Sequence, residues 1–430
     1  MKNYLVSVLL LFLYYPTFSQ EEEKLNQMIN EFESITPDLS LPVLQLEYIP
    51  LLEQSQNIQV VNRQKQYFSN LENQLQNMNH SDLSRDSKLD YQLLKFTAEL
   101  HLQRIAILET AAQLNEPISE EGVANLSYGK EYYRFLLKLW TGTRMSPEQI
   151  MELGHREVEK VKNEIKKIQG EREDEEFYSF LDSDDFLITD EKELILLFED
   201  RKKQVNESMF AIFPNQDSLP DVAISKNNNR RFDHVPGYYN HNTFYYTLFE
   251  TPFNRRKIDW LFIHEANPGH HFQISFENTL DLPDYRSMIA SPGYREGWAA
   301  YIEELGHQFG VYQDQYAYLG KWEWDLVRSV RVVLDVGMNY YGWSKDRALD
   351  YWKKHIVHND QIALREINRM IRWPAQIHTY KVGAYLIMKK KAEIMELQGE
   401  DFNEVEFHKT YLNYGSIPLE FIDLIYLAED

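Results

Sequence analysis

Residues 263–273 read Ile-His-Glu-Ala-Asn-Pro-Gly-His-His-Phe-Gln. In a zinc-peptidase helix, H-E-x-x-H puts two His on one face and aims the intervening Glu at the metal-activated water. His264 and Glu265 fit that pattern, but the next His residues are His270 and His271, two positions late. On an unbroken helix, 264 and 270 would lie about 240° apart, and 271 would be roughly 10 Å further along the axis. A continuous helix therefore cannot bring the pair to one ion. Pro268-Gly269 offers the way out. Pro disfavours helix at the residue before it, and Gly tolerates a kink or a positive φ. A local bulge absorbing two residues would return His270 to the second ligand position, with His271 as its substitute.

A catalytic zinc usually has three protein ligands and an open position. Glu296 in Arg-Glu-Gly-Trp-Ala-Ala-Tyr-Ile-Glu-Glu (295–304) is the third candidate, opening a helix just after Pro292-Gly293. Glu303 lies seven residues on and shares its face, suited to hydrogen-bonding a ligand His from behind and fixing its tautomer. The expected metal donors are thus His264, His270 and Glu296, with Glu265 as general base. Zinc is the favoured ion, although two His and a carboxylate can also hold iron or manganese.

The rest of the chain is largely helical in pattern. Leu89, Leu93, Phe96, Leu100 and Ile105 recur near the 3.6-residue period within 83–114. Ser146-Pro147-Glu148-Gln149 is a capping-box start for a helix to about Gly170. Another helix is expected over 189–202 with Thr189 as N-cap, and a turn region over 178–183. Residues 214–238 are rich in Pro, Asn, Asp and Gly and read as loop. Asn242–Glu250 (NTFYYTLFE) is a strand candidate, suited as an edge strand to pair with a peptide substrate's backbone. From Arg256 the helical pattern returns, with breaks at Pro268-Gly269, Pro283, Pro292-Gly293, Gly342 and Pro374. No repeat and no long linker separates domains. The expected fold is mainly α with a short β element: one helical catalytic domain over 20–430, which could form two lobes about a substrate cleft.

Composition narrows the function classes. Lys+Arg 45 against Asp+Glu 67 gives a net charge of −22, which repels phosphate backbones, so no nucleic-acid partner is expected. Anionic lipid is disfavoured for the same reason. With no cysteine there can be no disulfide, thiol nucleophile, thiolate metal site or lipobox acylation. Residues 1–19 (MKNYLVSVLLLFLYYPTFS) combine Lys2, an apolar core and a small-residue end, the pattern of a cleaved signal peptide. No other segment is apolar enough to span a bilayer, so no membrane span is expected in the mature chain.

H-E-x-x-P-G-H-H followed by E-G-W-A-x-Y-x-E resembles the bacterial family catalogued as domain of unknown function 885, commonly grouped with zincin-type metallopeptidases. Asp335, Gly337 and Trp343, and then Pro374, Gln376, Tyr380, Lys381 and Gly383, match two further family segments. A His often stands in the family where this chain has Asn339. The resemblance covers roughly residues 80–430 and implies a bacterial source, hence periplasmic or extracellular location. The arrangement is also similar to the carboxypeptidase Taq family of helical zinc peptidases. There the third ligand is a Glu some thirty positions after the first His. Here the interval from His264 to Glu296 is 32, that spacing plus the two inserted residues.

The resemblance implies a helical zincin-like architecture and Zn2+ as cofactor. It also points to Tyr380, with His378 behind it, as the electrophile for a tetrahedral intermediate. The function read here is an exported zinc metallopeptidase with a peptide substrate. The alternative is a non-catalytic protein on the same fold that binds peptides or cell-wall fragments, and a third class is a metal-dependent amide hydrolase acting on non-peptide substrates. Arg328, Arg331 and Arg372 read as ion-paired residues, with carboxylate clamping as the competing role. His234 and His241 read as surface or cleft residues, and the Tyr238-Tyr239 and Phe244–Tyr246 aromatics as packing. Exo- or endopeptidase specificity and oligomeric state stay open.

Overall fold

From Leu319 onward the helix Gln315–Asn339 is buried almost without interruption, from Leu326 to Asn339 at every position. An element buried on all sides lies in the middle of a helical protein, and the other helices are arranged around it. A computed structural model describes residues 20–426, apart from 54–56, 217–218, 234, 249–251, 290 and 358–359. The expected signal peptide and His234 lie outside the described residues. The architecture is mainly helical, with five short strands among the described residues. None of the described helices is long and apolar enough to cross a membrane.

The long helices start and stop where local chemistry dictates. Arg85–Leu114 is capped by Ser84, whose hydroxyl accepts from Ser87 N–H, and ends at Asn115 in the left-handed region. Pro147–Gln169 carries the full Ser146/Gln149 capping box and stops at Gly170. The helix expected from Thr189 is capped one residue later, by Asp190, and runs Glu191–Ser208. Of the turn region expected at 178–183 only 182–183 is a turn, because the helix Asp174–Leu181 runs through the first four residues. Phe177 and Leu181 fall one turn apart and are fully buried, and three acids sit in its first turn. Pro292 interrupts nothing either; it is the first residue of the helix Pro292–Leu305.

Two small sheets carry the β structure. β1 (Leu187–Ile188) pairs with β5 (Phe253–Asn254). The second sheet holds β2 (Ala223–Lys226), β3 (Gly237–Asn240) and β4 (Thr243–Tyr246) in the order β2-β4-β3. The segment read as loop therefore contains β2 and the start of β3, because pairing with β4 supplies the hydrogen bonds that local propensity does not. The candidate strand at 242–250 is shorter than expected and central, parallel to β2 and antiparallel to β3. It cannot be an edge; β3 is one.

Two apolar clusters fill the interior, one built on Trp260, Phe262 and Trp298, the other on Val330, Leu334 and Trp352. A cavity of about 880 Å³ lies between helices of both, lined by His264 on one side and by Arg331 and Arg369 on the other. The helices Pro292–Leu305 and His378–Gln398 fix this geometry by crossing at two glycines. A Cβ on Gly297 would lie 2.6 Å from Gly383 Cα, and one on Gly383 would lie 2.4 Å from Gly297 Cα. No side chain fits between the two backbones. Gly297→Ala is expected to lower stability by at least ~1–3 kcal/mol, the usual cost of overpacking. Chemical denaturation measures this, and an unchanged midpoint would contradict the close crossing.

Candidate metal centre

Every residue of the helix Ile258–Glu265 is buried, so the His264-Glu265 pair at its end sits on rigid ground. The chain does not bulge within one helix. It breaks after Glu265 and starts a new helix at His270. Gly269 makes the restart possible through close approach, not through a positive φ: its φ is −75°. A Cβ there would lie 2.0 Å from the His264 carbonyl oxygen and 2.3 Å from that of Ile263. The indole N–H of Trp298 donates to the Pro268 carbonyl at 2.9 Å, tying the connection to the helix that carries Glu296.

The result is a three-residue cluster. One donor atom each from His264, His270 and Glu296 lies within 4.8 Å of the others, and no other group of potential metal ligands emerges among the described residues. Glu296 Oε2 is 3.4 Å from His270 Nε2 and 3.8 Å from His264 Nε2. The two imidazoles meet edge to face at 4.9 Å. His271 goes elsewhere. Its Nε2–H donates to the Pro220 carbonyl at 2.8 Å, and Tyr239 OH stands 3.3 Å from its Nδ1. Of the two alternatives at the second position, the structure brings His270 to the cluster.

Behind His264, Nδ1–H donates to Glu303 at 2.7 Å, as the shared helix face suggested. Arg328 grips Glu303 with one nitrogen at 2.7 and 2.6 Å from its two oxygens. Glu303 is 1% and Arg328 3% exposed, so this is a buried pair, and removing one partner strands a charge. Burial would lower the His264 pKa, but the Glu296 and Glu303 carboxylates facing its two ring nitrogens outweigh it and lift the group to about 9. Against its own burial, Glu296 is held well below the carboxylate range by His270 and His264. Glu265, buried beside them, is pushed up by desolvation. It lines the cavity next to the cluster.

Tyr380 lines the same cavity, its ring 6.4 Å from that of His264 and its hydroxyl 3.4 Å from Gln376 Nε2. His378 is not behind it. His378 is fully buried in the core, with Nε2 3.0 Å from Tyr133 OH and 3.2 Å from Asp335. Arg328, Arg331 and Arg372 are ion-paired, to Glu303, Glu366 and Glu47. His241 is exposed at the turn between β3 and β4. Phe244 and Tyr246 are core residues, but Tyr238 and Tyr239 line the cavity. Sequence reasoning missed Arg365, Arg369 and Trp373, which also line it. The signal was present: Arg365, Arg369 and Arg372 recur at helical spacing, one face of the helix Asp360–Arg372.

Fold and site together define a helical protein with a His-His-Glu cluster in the lining of a large cavity. The chain belongs to the family described as bacterial protein of unknown function (DUF885), whose model matches residues 52–424. It is similar to the crystal structure of "the putative lipoprotein from Colwellia psychrerythraea", at 21% identity and a TM-score of 0.65, covering 94% of this chain and 74% of that one. A second similar structure is described as "a putative lipoprotein of unknown function from Shewanella oneidensis", at 19% identity and a TM-score of 0.55, covering 96% and 80%. Comparison with curated proteins gives no match.

Two outcomes follow from these geometries. Glu303→Gln is expected to weaken metal binding about 10- to 100-fold, the usual effect of losing a ligand's supporting carboxylate. Titration against a competing chelator reads this, and unchanged affinity would remove Glu303 from the site. In the cavity wall, burial opposes Glu366 ionisation, but Arg331 and Arg369 depress its pKa from 4.5 to about 2. A depressed carboxylate stabilises the fold fully above its unfolded value and loses that contribution as pH falls through the folded one. The stability gap between wild type and Glu366→Gln should therefore shrink between pH 4.5 and about 2. A gap independent of pH in that window would contradict the ion pairing.

Proposed function

We propose that this chain is an exported zinc-dependent hydrolase of zincin-like architecture, a metallopeptidase that cleaves peptide bonds. The observation that carries this is the convergence of His264, His270 and Glu296 beside buried Glu265. The donor set fits a zinc ion. Tetrahedral ligands at about 2.0–2.1 Å stand roughly 3.3 Å from one another, and the Glu296–His270 and Glu296–His264 separations are 3.4 and 3.8 Å. The Glu303 hydrogen bond occupies His264 Nδ1 and leaves Nε2 to face Glu296. When bound, zinc supplies a Lewis acid for a carbonyl oxygen and lowers the pKa of water.

The chain's own residues would divide the remaining work. Glu265 takes a proton from the attacking water as oxygen bonds to the carbonyl carbon. It returns that proton to the amine as the C–N bond breaks. Burial, which raises its proton affinity, suits both halves of that task. The Tyr380 hydroxyl is placed in the cavity to donate to the developing oxyanion. β3, an edge strand whose residues line the cavity, offers backbone groups to an extended peptide. Export is supported by the signal-like residues 1–19 and by the description of both similar structures as putative lipoproteins, so the proposed location is the periplasm or beyond.

Metal content of purified protein tests this reading. About one zinc per wild-type chain is expected, lost in His264→Ala. Glu265→Gln should keep the metal and lose hydrolysis of a responsive peptide by about 10²- to 10⁴-fold, the range for a general base. No metal in zinc-supplied wild type, or full activity in Glu265→Gln, would overturn the catalytic reading and leave a peptide-binding scaffold.

A further inference from the structure

The cavity wall across from the metal cluster is cationic, in a chain whose net charge is −22. Charge accounting shows where the excess lies. Arg328 is matched by Glu303, and Arg372 by Glu47. Arg331 and Arg369, however, share one carboxylate: Glu366 Oε2 is 2.8 Å from Arg331 and 3.8 Å from Arg369. Arg365 also reaches Glu366, at 3.3 Å, alongside other contacts of its own. Two guanidinium groups on one anion leave a positive surplus, and with Arg331 2% and Arg369 13% exposed that charge is weakly screened by water.

The two cations are also oriented. Arg331 lies over the Trp324 ring at 5.7 Å, and Arg369 over Trp373 at 5.1 Å. Stacking on an aromatic face fixes the plane of each guanidinium; Arg369 also donates from one terminal nitrogen to Gln376 Oε1 at 2.9 Å, which leaves its remaining N–H groups for a ligand. Distance to the metal cluster is set by Tyr380. Its ring is 5.8 Å from Arg331 Cζ and 6.4 Å from the His264 imidazole. One aromatic ring thus separates the cationic wall from a metal ligand. Through that ring Arg331 lies no more than about 12 Å from the His264 imidazole, and with neighbouring peptide residues ~3.8 Å apart at Cα this places the carboxylate within about three residues of the bond being cut.

We infer that Arg331 and Arg369 form a carboxylate subsite, making the substrate a peptide with an anionic group close to the scissile bond. This deepens the hydrolase reading and rests on it for the position of that bond. The carboxylate comes either from the peptide's free C-terminus, in which case the protein is a carboxypeptidase, or from an acidic side chain.

Three probes separate these cases: an N-acetylated pentapeptide of neutral residues with a free C-terminus, its C-terminal amide, and an amide whose last residue is glutamate. Binding is measured by calorimetry on zinc-loaded Glu265→Gln, and hydrolysis on zinc-loaded wild type. The free-carboxylate peptide should bind about 10- to 100-fold tighter than its amide, the margin of a charge-assisted fork contact. That margin should collapse toward one when Arg369→Gln is added. Arg369→Lys, which keeps the charge and loses the fork, should retain part of it, and it replaces Arg369→Gln if that variant does not fold. Recovery of the margin by the glutamate amide would assign the carboxylate to a side chain. All three probes binding alike, or none binding, would overturn the subsite, as would a margin left undiminished by both Arg369→Gln and Arg369→Lys. Hydrolysis without carboxylate preference would overturn the subsite alone, and preference without hydrolysis would overturn the peptidase reading alone.

Discussion

A side chain at position 269 would collide with the carbonyl oxygens of Ile263 and His264, and the rest of the site depends on its absence. Because glycine allows the chain to lie against the end of the helix Ile258–Glu265, the next helix can begin at His270 without first moving away. Both imidazoles then reach the same space as Glu296. The Trp298 indole, bound to the Pro268 carbonyl, links this connection to the helix that delivers Glu296. Gly297, the residue between Glu296 and Trp298, lets that helix settle against Gly383. Three glycines thus set the positions of the His pair, Glu296 and Tyr380.

Charge does the remaining positioning. Glu303 holds the His264 ring and is itself held by Arg328. Below them, Lys381 pairs with Asp325 at 2.7 Å and with Glu157 at 2.8 Å, while Lys321 pairs with Glu304 at 2.7 Å. Buried ion pairs contribute little net stability relative to apolar packing, but a half-removed pair is costly. Such a lattice therefore penalises displacement of any one helix, which is what a site requiring donors in fixed places needs. The same helix that supplies Arg328 to the metal side supplies Arg331 to the cationic wall, one turn apart on a fully buried segment. The two halves of the cavity cannot shift independently along that helix.

The site was more legible in the sequence than the fold around it. The H-E pair flags His264 and Glu265, the 32-residue interval that the resemblance matches flags Glu296, and the seven-residue step from Glu296 flags Glu303. The choice between His270 and His271 was not readable, since it depends on how two helices abut, which no periodicity encodes. His378 looked functional from its place beside Tyr380, yet the packing of Asp335 and Tyr133 draws it into the core. The strand at 243–246 was found, but its place in the sheet depends on β2, whose Pro- and Asn-rich flanks conceal it. The cationic wall was half visible. Its arginines repeat on one helix face, but the pairing that leaves some matched and others in excess is a property of the assembled cavity.

Anomalous diffraction at the zinc edge from crystals of the zinc-loaded protein addresses the central claim most directly. One strong peak is expected within about 2.0–2.2 Å of His264 Nε2, His270 Nε2 and a Glu296 carboxylate oxygen, with His271 remote from it. A peak that uses His271, or no peak between His264 and Glu296, would contradict it.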